Sequence, residues 1–263
     1  MCGIFGYIGN DPAYDIVKSG LKQLEYRGYD SCGISLHTGS EFVISKVLGD
    51  TNSLSNSEDT STIGIGHTRW ATHGNVSIKN AHPHISSCGS ICLVHNGVIE
   101  NSDIIRERLK NFQHVSDTDS EVLANLIASH HMGDLVKAVE NALKEVRGTY
   151  GIAVMHTDYP DTILCARRGS PLCIGVGVDE ICISSDAYAI PPTINNVTYL
   201  DDDQIGIIKG HTFKLRQSEK NINPEVNKLS IHRSVTNCDG YSCFLEKEIH
   251  DQIEALKNAM RGR

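Results

Sequence analysis

Apolar and polar residues follow two different periods along this chain. Apolar positions that recur every three to four residues predict amphipathic helices over 11–24, 101–110 and 134–146, and a further helix that begins at Thr118. Asp11 is predicted to cap the first helix with Pro12 in its first turn, and Thr118 with Glu121 has the spacing of a capping box. These local signals place the helices in the middle of the chain and near its beginning.

Short apolar runs predict the strands, and some of them, such as "SICLVH" and "GIAVM", are apolar at every position. Strands of that kind are buried on both faces. The predicted strands cover 4–8, 33–37, 42–47, 63–67, 90–95, 151–156, 162–166, 173–178, 181–184, 205–208 and 211–215. Helices clustered between two strand-rich halves favour an α+β sandwich in which helical layers cover sheets.

Two segments are predicted to lie outside this framework. The polar stretch 50–62 is expected to be an exposed connection. After about residue 216 the chain is polar, and a helical pattern then returns over 245–260. We therefore expect a main domain over 1–216 and a tail over 217–263.

Composition excludes several classes of protein. The chain has 263 residues, of which 40% are hydrophobic and 21% charged, as is usual for a soluble globular protein. Its net charge of -8 without a long basic run argues against nonspecific nucleic-acid binding. No apolar run approaches the roughly 18 residues of a membrane span, and the first residues do not have the pattern expected of a secretory signal. The nine cysteines are an odd number scattered among apolar residues, which indicates reduced thiols and a cytoplasmic protein.

The first ten residues, "MCGIFGYIGN", place a cysteine directly before a predicted buried strand. Once Met1 is removed, Cys2 carries a free α-amine with a pKa of about 7.7–8.0, close to the value of about 8.5 for a thiol. Such an amine can accept the proton of its own nucleophile. The alternative is that Cys2 is simply a small residue at a frayed end.

Three further segments carry candidate substrate-binding groups. "HTRWATHG" (67–74) places Arg69, Trp70, Thr72 and His73 between a strand and a glycine. An arginine there can clamp a carboxylate with two hydrogen bonds, and a tryptophan can cover a ligand. "SDTDSE" (116–121) offers Asp119 near a helix start, where it is also an ordinary first-turn acid.

The segment "HNGVIEN" (95–101) has two interpretations. Asn-Gly is the strongest short signal for a hairpin turn. Alternatively, the side-chain amide of Asn96 and the backbone N–H of Gly97 form an oxyanion hole, where one donor contributes about 3 kcal/mol to a transition state. The residues by themselves leave both open.

Sites for metals and nucleotides have weaker support. Histidines and cysteines such as His67, His82, His84 and Cys88 do not have the paired spacing of a zinc site. "RRGSPLCIGVG" is neither a P-loop nor a dinucleotide fingerprint. We therefore expect neither a metal nor a cofactor.

Several segments, taken in order, resemble one known family. They are "CGIFGYIG", "LEYRGYDSCGIS", "GIGHTRWATHG", "NAHPH", "VHNGVIEN", "SDTDSEV", "RGTYGIAVM", "ARRGSPLCIGVG" and "ISSDAYAI". Together they are similar to the glutaminase domain of the glutamine–fructose-6-phosphate aminotransferases (glucosamine-6-phosphate synthases), which is a class II glutamine amidotransferase domain. The closing segment "LEKEIHDQIEALKNAMRGR" resembles that family's linker toward a sugar-isomerising half.

The resemblance implies a fold and a set of roles. The fold would be that of the N-terminal-nucleophile hydrolases, a four-layer αββα sandwich with two antiparallel sheets. Cys2 would be the nucleophile, Asn96 and Gly97 the oxyanion hole, and Arg27 a support for the nucleophile. The glutamine-binding residues would be Arg69, Trp70, Thr72, His73 and Asp119.

The resemblance also implies partners and a reaction. The domain would hydrolyse L-glutamine to glutamate and ammonia through a γ-glutamyl thioester on Cys2. The ammonia would serve glucosamine 6-phosphate synthesis in a sugar-isomerase domain or subunit that binds fructose 6-phosphate. The resemblance is also compatible with a homo-oligomer. Two alternatives stay open: a class II amidotransferase with another acceptor, or a catalytically silent interaction domain.

Cys32 stands where the family usually has alanine, which predicts a buried, redox-sensitive thiol near the site.

Overall fold

The structure, a computed structural model, describes residues 2–71, 74–229, 240–242 and 244–260. The chain divides into two compact units, residues 1–230 and residues 231–263. The described part of the second unit contains one helix, α5 (Phe244–Met260). The predicted site residues that are described all belong to the first unit.

The described residues of the first unit form four α-helices at the places that the periodicity predicts. They are α1 (Ala13–Gln23), α2 (Ser102–Arg108), α3 (Asp119–His130) and α4 (Leu135–Glu145). Thr118 caps α3 as predicted, because its side-chain oxygen accepts a hydrogen bond from the backbone N–H of Glu121 at 3.3 Å. The predicted cap by Asp11 is wrong, since Pro12 itself occupies the capping position of α1 and no side chain caps that helix.

Eight strands form the first sheet, and all of its neighbouring pairs are antiparallel. Its order is β15-β11-β9-β10-β1-β4-β2-β3. The strands are β1 (Gly3–Ile8), β2 (Ser31–His37), β3 (Phe42–Leu48), β4 (Ile63–Arg69), β9 (Cys173–Val176), β10 (Ile181–Ser184), β11 (Asn196–Tyr199) and β15 (Asn227–Lys228).

Seven strands form the second sheet, which is also antiparallel throughout, in the order β14-β13-β12-β8-β7-β6-β5. The strands are β5 (His84–Ile85), β6 (Ile91–Ile99), β7 (Gly148–His156), β8 (Thr162–Arg168), β12 (Ile205–Lys209), β13 (Thr212–Gln217) and β14 (Lys220–Ile222). Strands β14 and β15 follow residue 216, where the predicted main domain ends, and they extend the two sheets.

The elements stack in four layers. Helix α1 packs on β1, β2 and β4 of the first sheet, while α3 packs on β5 and β6 of the second sheet and is itself flanked by α2 and α4. One apolar cluster fills the space between the two sheets and a second lies between the second sheet and its helices. The predicted αββα sandwich with two antiparallel sheets is therefore confirmed.

The strand that follows Cys2 is held on both sides. All six residues of β1 are buried, between β10 and β4. Gly3 fits there because a Cβ atom at this position would lie 2.6 Å from the Thr68 hydroxyl and 2.7 Å from Cβ of Leu24. A cysteine attached to such a strand has a well-defined backbone position, which a frayed end would not have.

The polar stretch 50–62 departs from the sequence-based picture. The connection 50–62 is not uniformly exposed, since the side chains of Thr51 and Leu54 are buried. Among the residues that the structure describes, no helix combines the length and apolar character that crossing a bilayer requires.

Candidate active site

The ends of three strands and the start of one helix meet at a small cleft on the surface of the first unit. Cys2 precedes β1, Arg69 ends β4, Gly97 lies in β6 and Asp119 begins α3. All four residues line the cleft together with Trp70. The fold thus brings together residues that lie far apart in the sequence.

The thiol of Cys2 contacts the backbone at the end of β4. The backbone N–H of Trp70 donates to Sγ at 3.2 Å, and Sγ lies 3.6 Å from the Trp70 carbonyl oxygen. Burial raises the pKa of the Cys2 thiol, although the Trp70 N–H and the charge of Arg69 act in the opposite direction. The resting thiol is therefore protonated near neutral pH and needs a base before it can act as a nucleophile.

Two side chains hold the backbone of Cys2. Arg27 donates from Nε to the Cys2 carbonyl oxygen at 3.2 Å, and Asn96 donates from Nδ2 to the same oxygen at 3.0 Å. Arg27 is in turn paired with Asp186 at 3.3 Å, and the Tyr26 hydroxyl donates to that carboxylate at 2.5 Å. The nucleophile's backbone is thus anchored by a network that extends to the loop after β10.

Asn96 and Gly97 do not form a turn, so the hairpin interpretation is wrong. Both lie inside β6, where they pair with Gly151 and Tyr150 of β7. Gly97 has a φ of 141°, and a Cβ atom there would lie 2.1 Å from the Thr149 carbonyl oxygen. Only glycine tolerates that backbone, and the neighbouring Asn96 side chain reaches the Cys2 carbonyl oxygen.

Arg69 and Asp119 place opposite charges in the same cleft. The Arg69 side chain is only 4% exposed, and its guanidinium donates to the carbonyl oxygens of Gly74 and Asn75 at 3.4 Å each. Burial lowers the pKa of Arg69, whereas the nearby charges of Cys2, Asp30 and Asp119 raise it. The Asp119 carboxylate accepts a hydrogen bond from the Ile99 backbone N–H at 2.8 Å. This arrangement suits a small zwitterionic ligand.

The remaining predicted site residues have different outcomes. Trp70 leaves its side chain 38% exposed at the rim of the cleft, with its ring edge-on to Tyr29 at 5.9 Å between centroids. Thr72 and His73 lie outside the described residues.

Cys32 is buried on β2, and burial raises the pKa of its thiol to about 12, with contributions from Glu25 and Asp50. Such a thiol holds little thiolate, which argues against the predicted redox sensitivity.

Sequence reasoning assigned no role to several residues that organise the site. Asp30 accepts a hydrogen bond from the Ala71 backbone N–H at 2.8 Å, and the Ser185 hydroxyl accepts one from the backbone N–H of Ile4 at 3.0 Å. Asp30, Ser185 and Asp186 occur within "LEYRGYDSCGIS" and "ISSDAYAI". These motifs marked them as part of the resemblance, but only the contacts give them a function.

A larger cavity of about 390 Å³ lies between α4 and the β13–β14 hairpin. Its charged side chains pair with one another, as in Lys144–Glu219, Arg168–Asp203 and Arg216–Glu140 at 2.5–2.6 Å. None of the predicted site residues that the structure describes lines it. Within the described ranges, no group of three or more histidine, cysteine and acidic side chains has the geometry of a metal site.

A group of buried histidines lies beside the cleft. His67 stacks on His82 with ring centroids 4.0 Å apart, and His84 meets His82 edge-on at 4.6 Å. Burial lowers the pKa of His67 to about 3 and also lowers the pKa values of His82 and His84 well below 6.5. His156 ends β7, away from these three histidines, and burial lowers its pKa to about 4. These rings are neutral in the folded protein at neutral pH.

The buried histidines predict that the protein loses stability in mild acid. The unfolded chain binds protons at these positions below about pH 6.5, whereas the folded protein does not. The free energy of unfolding is therefore fully retained above pH 6.5 and falls as the pH decreases, by about 1.4 kcal/mol per pH unit for each such histidine. Urea unfolding at pH 7.5, 6.5, 5.5 and 5.0 measures this slope before most carboxylates titrate.

Two variants separate the buried histidines from the rest of the chain. His156→Gln removes one of them and is expected to make the slope shallower, while the same change at the exposed His211 leaves it unaltered. A free energy of unfolding that stays constant from pH 6.5 to 5.0 contradicts the prediction.

Comparison with known proteins adds the following similarities. A profile for the glutamine amidotransferase domain matches residues 67–191. Over its whole length the chain is 42% identical to glutamine–fructose-6-phosphate aminotransferase from Bacteroides thetaiotaomicron and covers 45% of that enzyme. It is 41% identical to the same enzyme from Caldanaerobacter subterraneus and covers 44% of it. The chain thus spans slightly less than half of these relatives.

Solved structures give a matching result. Glutamine phosphoribosylpyrophosphate amidotransferase from Bacillus subtilis, in complex with ADP and GMP, superposes with a TM-score of 0.71 at 26% identity, over 84% of this chain and 50% of that one. A second structure, described as the allosteric regulatory enzyme of purine biosynthesis, has the same TM-score at 28% identity, over 82% of this chain and 49% of that one.

Proposed function

We propose that this chain is a glutaminase domain of the glutamine–fructose-6-phosphate aminotransferase type and that it hydrolyses L-glutamine to glutamate and ammonia. The match of residues 67–191 to the glutamine amidotransferase profile and the identity of 41–42% to these aminotransferases support the proposal. The observation that supports this most directly is the convergence of Cys2, Arg69, Gly97 and Asp119 on one cleft. That cleft offers a thiol, an oxyanion site and a pair of opposite charges.

The opposite charges orient the substrate. The guanidinium of Arg69 binds the α-carboxylate of glutamine with two hydrogen bonds, and the carboxylate of Asp119 binds its α-ammonium group. Trp70 covers the bound amino acid from the rim. Thr72 and His73 follow Trp70 in the sequence, and we assign them to the same binding loop on the basis of the family resemblance.

The first half of the reaction forms a thioester. After Met1 is removed, the α-amine of Cys2 accepts the thiol proton, and the sulfur attacks the side-chain carbonyl carbon of glutamine. Negative charge develops on the carbonyl oxygen, which Asn96 and Gly97 stabilise. The Asn96 amide has two N–H groups, so one can keep its bond to the Cys2 carbonyl while the other faces the oxyanion.

The second half regenerates the enzyme. The protonated α-amine gives its proton to the departing nitrogen, so that the C–N bond breaks and ammonia leaves a γ-glutamyl thioester on Cys2. Water then attacks the thioester with the α-amine as base, and glutamate is released as the thiol is restored. Arg27 supports the nucleophile throughout through its bond to the Cys2 carbonyl oxygen.

We further propose that the ammonia is used by a sugar-isomerase domain or subunit that binds fructose 6-phosphate, giving glucosamine 6-phosphate. The identity of 41–42% to fructose-6-phosphate aminotransferases supports this acceptor over phosphoribosylpyrophosphate, since the superposed phosphoribosyl enzymes are 26–28% identical. A catalytic cysteine must stay reduced, which suits a reducing compartment such as the cytoplasm.

The proposed activity predicts equal amounts of glutamate and ammonia when the protein is incubated with L-glutamine. A glutamine analogue that carries a chloroketone in place of the carboxamide is expected to alkylate Cys2, with the adduct found by peptide mass spectrometry. Cys88→Ala is the matched control, because Cys88 is an exposed thiol whose loss leaves the labelling at Cys2 unchanged. If the protein neither releases glutamate nor reacts with the analogue, it is a silent domain and the proposal is wrong.

The acceptor is tested separately. Adding the fructose-6-phosphate-binding half of a related enzyme with its substrate is expected to give glucosamine 6-phosphate at the expense of free ammonia. Formation of phosphoribosylamine with a phosphoribosyltransferase partner, and none of the amino sugar, identifies the other acceptor instead.

A further inference from the structure

One buried histidine connects the two sheets directly behind the proposed oxyanion site. His67 lies in β4 of the first sheet, and its side chain is completely buried. Its Nε2 atom is 3.0 Å from the His95 carbonyl oxygen and 3.0 Å from Oδ1 of Asn96, both in β6 of the second sheet. The mechanism proposed above gives this ring no part.

The His95 carbonyl fixes the proton of His67, and through it the orientation of Asn96. A backbone carbonyl can only accept a hydrogen bond, so Nε2 carries the hydrogen. The Asn96 atom that faces Nε2 must then be the amide oxygen. Consequently Nδ2 points the other way, to the Cys2 carbonyl at 3.0 Å.

The surroundings keep this ring neutral. Its second nitrogen, Nδ1, is buried and has no hydrogen-bond partner, so a proton there would be unsolvated. Burial accordingly lowers the pKa of His67 to about 3. Between about pH 5 and pH 9 the ring therefore keeps a single donor, aimed at β6.

We propose that His67 is a positioning residue that holds the Asn96 amide with its N–H groups toward Cys2 and its oxygen away from it. The proposal rests on the glutaminase function, for which Asn96 supplies an oxyanion donor. Without His67 the amide can rotate by 180° and place Oδ1 against the Cys2 carbonyl and the developing oxyanion. The rotated amide opposes the transition state but leaves Arg69 and Asp119 free to bind glutamine.

Kinetics of two variants test this role. His67→Leu is expected to lower kcat for glutamine about 10- to 100-fold with KM changed less than threefold, since one misdirected donor costs part of the roughly 10²–10³-fold effect of losing it. His67→Gln keeps a side-chain N–H near the position of Nε2 and is expected to recover most of kcat. A rise in KM with kcat unchanged, or no difference between Leu and Gln, overturns the proposal.

His156→Leu is the matched control for general damage to the core. His156 is likewise a buried histidine with an unpartnered nitrogen, and it lies in β7 of the second sheet, the sheet that contains Asn96. It pairs with Ile91, whereas Asn96 pairs with Gly151, so about five residues or roughly 17 Å of strand separate it from the oxyanion site. We expect this variant to lose stability and to keep kcat within about twofold.

The double variant distinguishes positioning from an independent contribution. In an Asn96→Ala background no amide remains to be oriented, so adding His67→Leu is expected to lower kcat less than twofold further. An undiminished 10- to 100-fold loss in that background contradicts the assignment.

Nitrogen NMR of histidine-labelled protein tests the arrangement without relying on activity. His67 is expected as the neutral tautomer with hydrogen on Nε2 from pH 5 to 8. Hydrogen on Nδ1 or a charged ring overturns the proposal even if both leucine variants fail to fold. If the unaltered protein shows this tautomer but releases no glutamate, the glutaminase function has failed and the positioning role fails with it.

Discussion

Replacing Cys2 with alanine is expected to lower glutamine hydrolysis by about 10⁴-fold or more, because the thioester has no other atom on which to form. The change removes only the sulfur and its contacts with the Trp70 backbone. The bonds from Arg27 and Asn96 go to the Cys2 carbonyl and are kept. The cleft should therefore still bind glutamine while its chemistry is lost.

Two measurements on the same preparation separate these effects. Glutamate release measured over hours gives the residual rate, and titration calorimetry with glutamate shows whether the amino acid still binds. Cys88→Ala serves as the control for loss of a thiol elsewhere and is expected to keep the full rate. Turnover within tenfold of the unaltered protein would show that Cys2 is not the nucleophile.

The α-amine is tested by the state of Met1. Burial raises the pKa of the Cys2 thiol, so a base is needed near neutral pH. We expect the active protein to lack Met1 by intact mass, and a fraction that retains Met1 to be inactive because Cys2 then has no free amine. Full activity in a protein that retains Met1 excludes the α-amine as the base.

Asn96→Ala is expected to lower kcat by about 10²–10³-fold with little change in KM, which is the effect of removing one oxyanion donor. The contacts that support glutamine binding, at Arg69 and Asp119, do not involve this side chain. Asn96→Asp tests the oxyanion role more specifically than Asn96→Ala. It keeps the shape of the side chain but replaces the donor with a negative charge beside the developing oxyanion.

Steady-state kinetics of the two Asn96 variants give the answer, with Asn52→Ala as the control for an exposed asparagine. Both site variants should lose kcat, and the aspartate variant should lose at least as much as alanine. If both variants mainly raise KM and leave kcat little changed, Asn96 instead contributes to binding glutamine in the ground state.

The helices were predictable because their signals are local. An apolar stripe and a capping residue decide where α4 lies, and the prediction of 134–146 differs from Leu135–Glu145 only at the ends. Strand β11 (Asn196–Tyr199) was missed because four residues carry little periodicity of their own. Its structure depends on pairing with β9, which the sequence does not display.

The site was predictable in its residue types and less so in its geometry. The ordered motifs identified Cys2, Arg69 and Asp119, and the structure places all three at one cleft. Asn96–Gly97 carries the local signal of a turn, yet pairing with β7 keeps both residues in a strand. A local preference was here overridden by a longer-range contact.

The sequence by itself determined the chemical groups: a thiol that follows Met1, an arginine, an amide and a carboxylate, each next to a predictable strand or helix. Only the tertiary structure decided which atoms of these groups face one another. The bond from His67 to Asn96 joins residues 29 apart in the chain, and that from Asn96 to Cys2 joins residues 94 apart. A hydrogen bond depends on distances of tenths of an ångström and on angles, and the packing of two sheets against each other sets both.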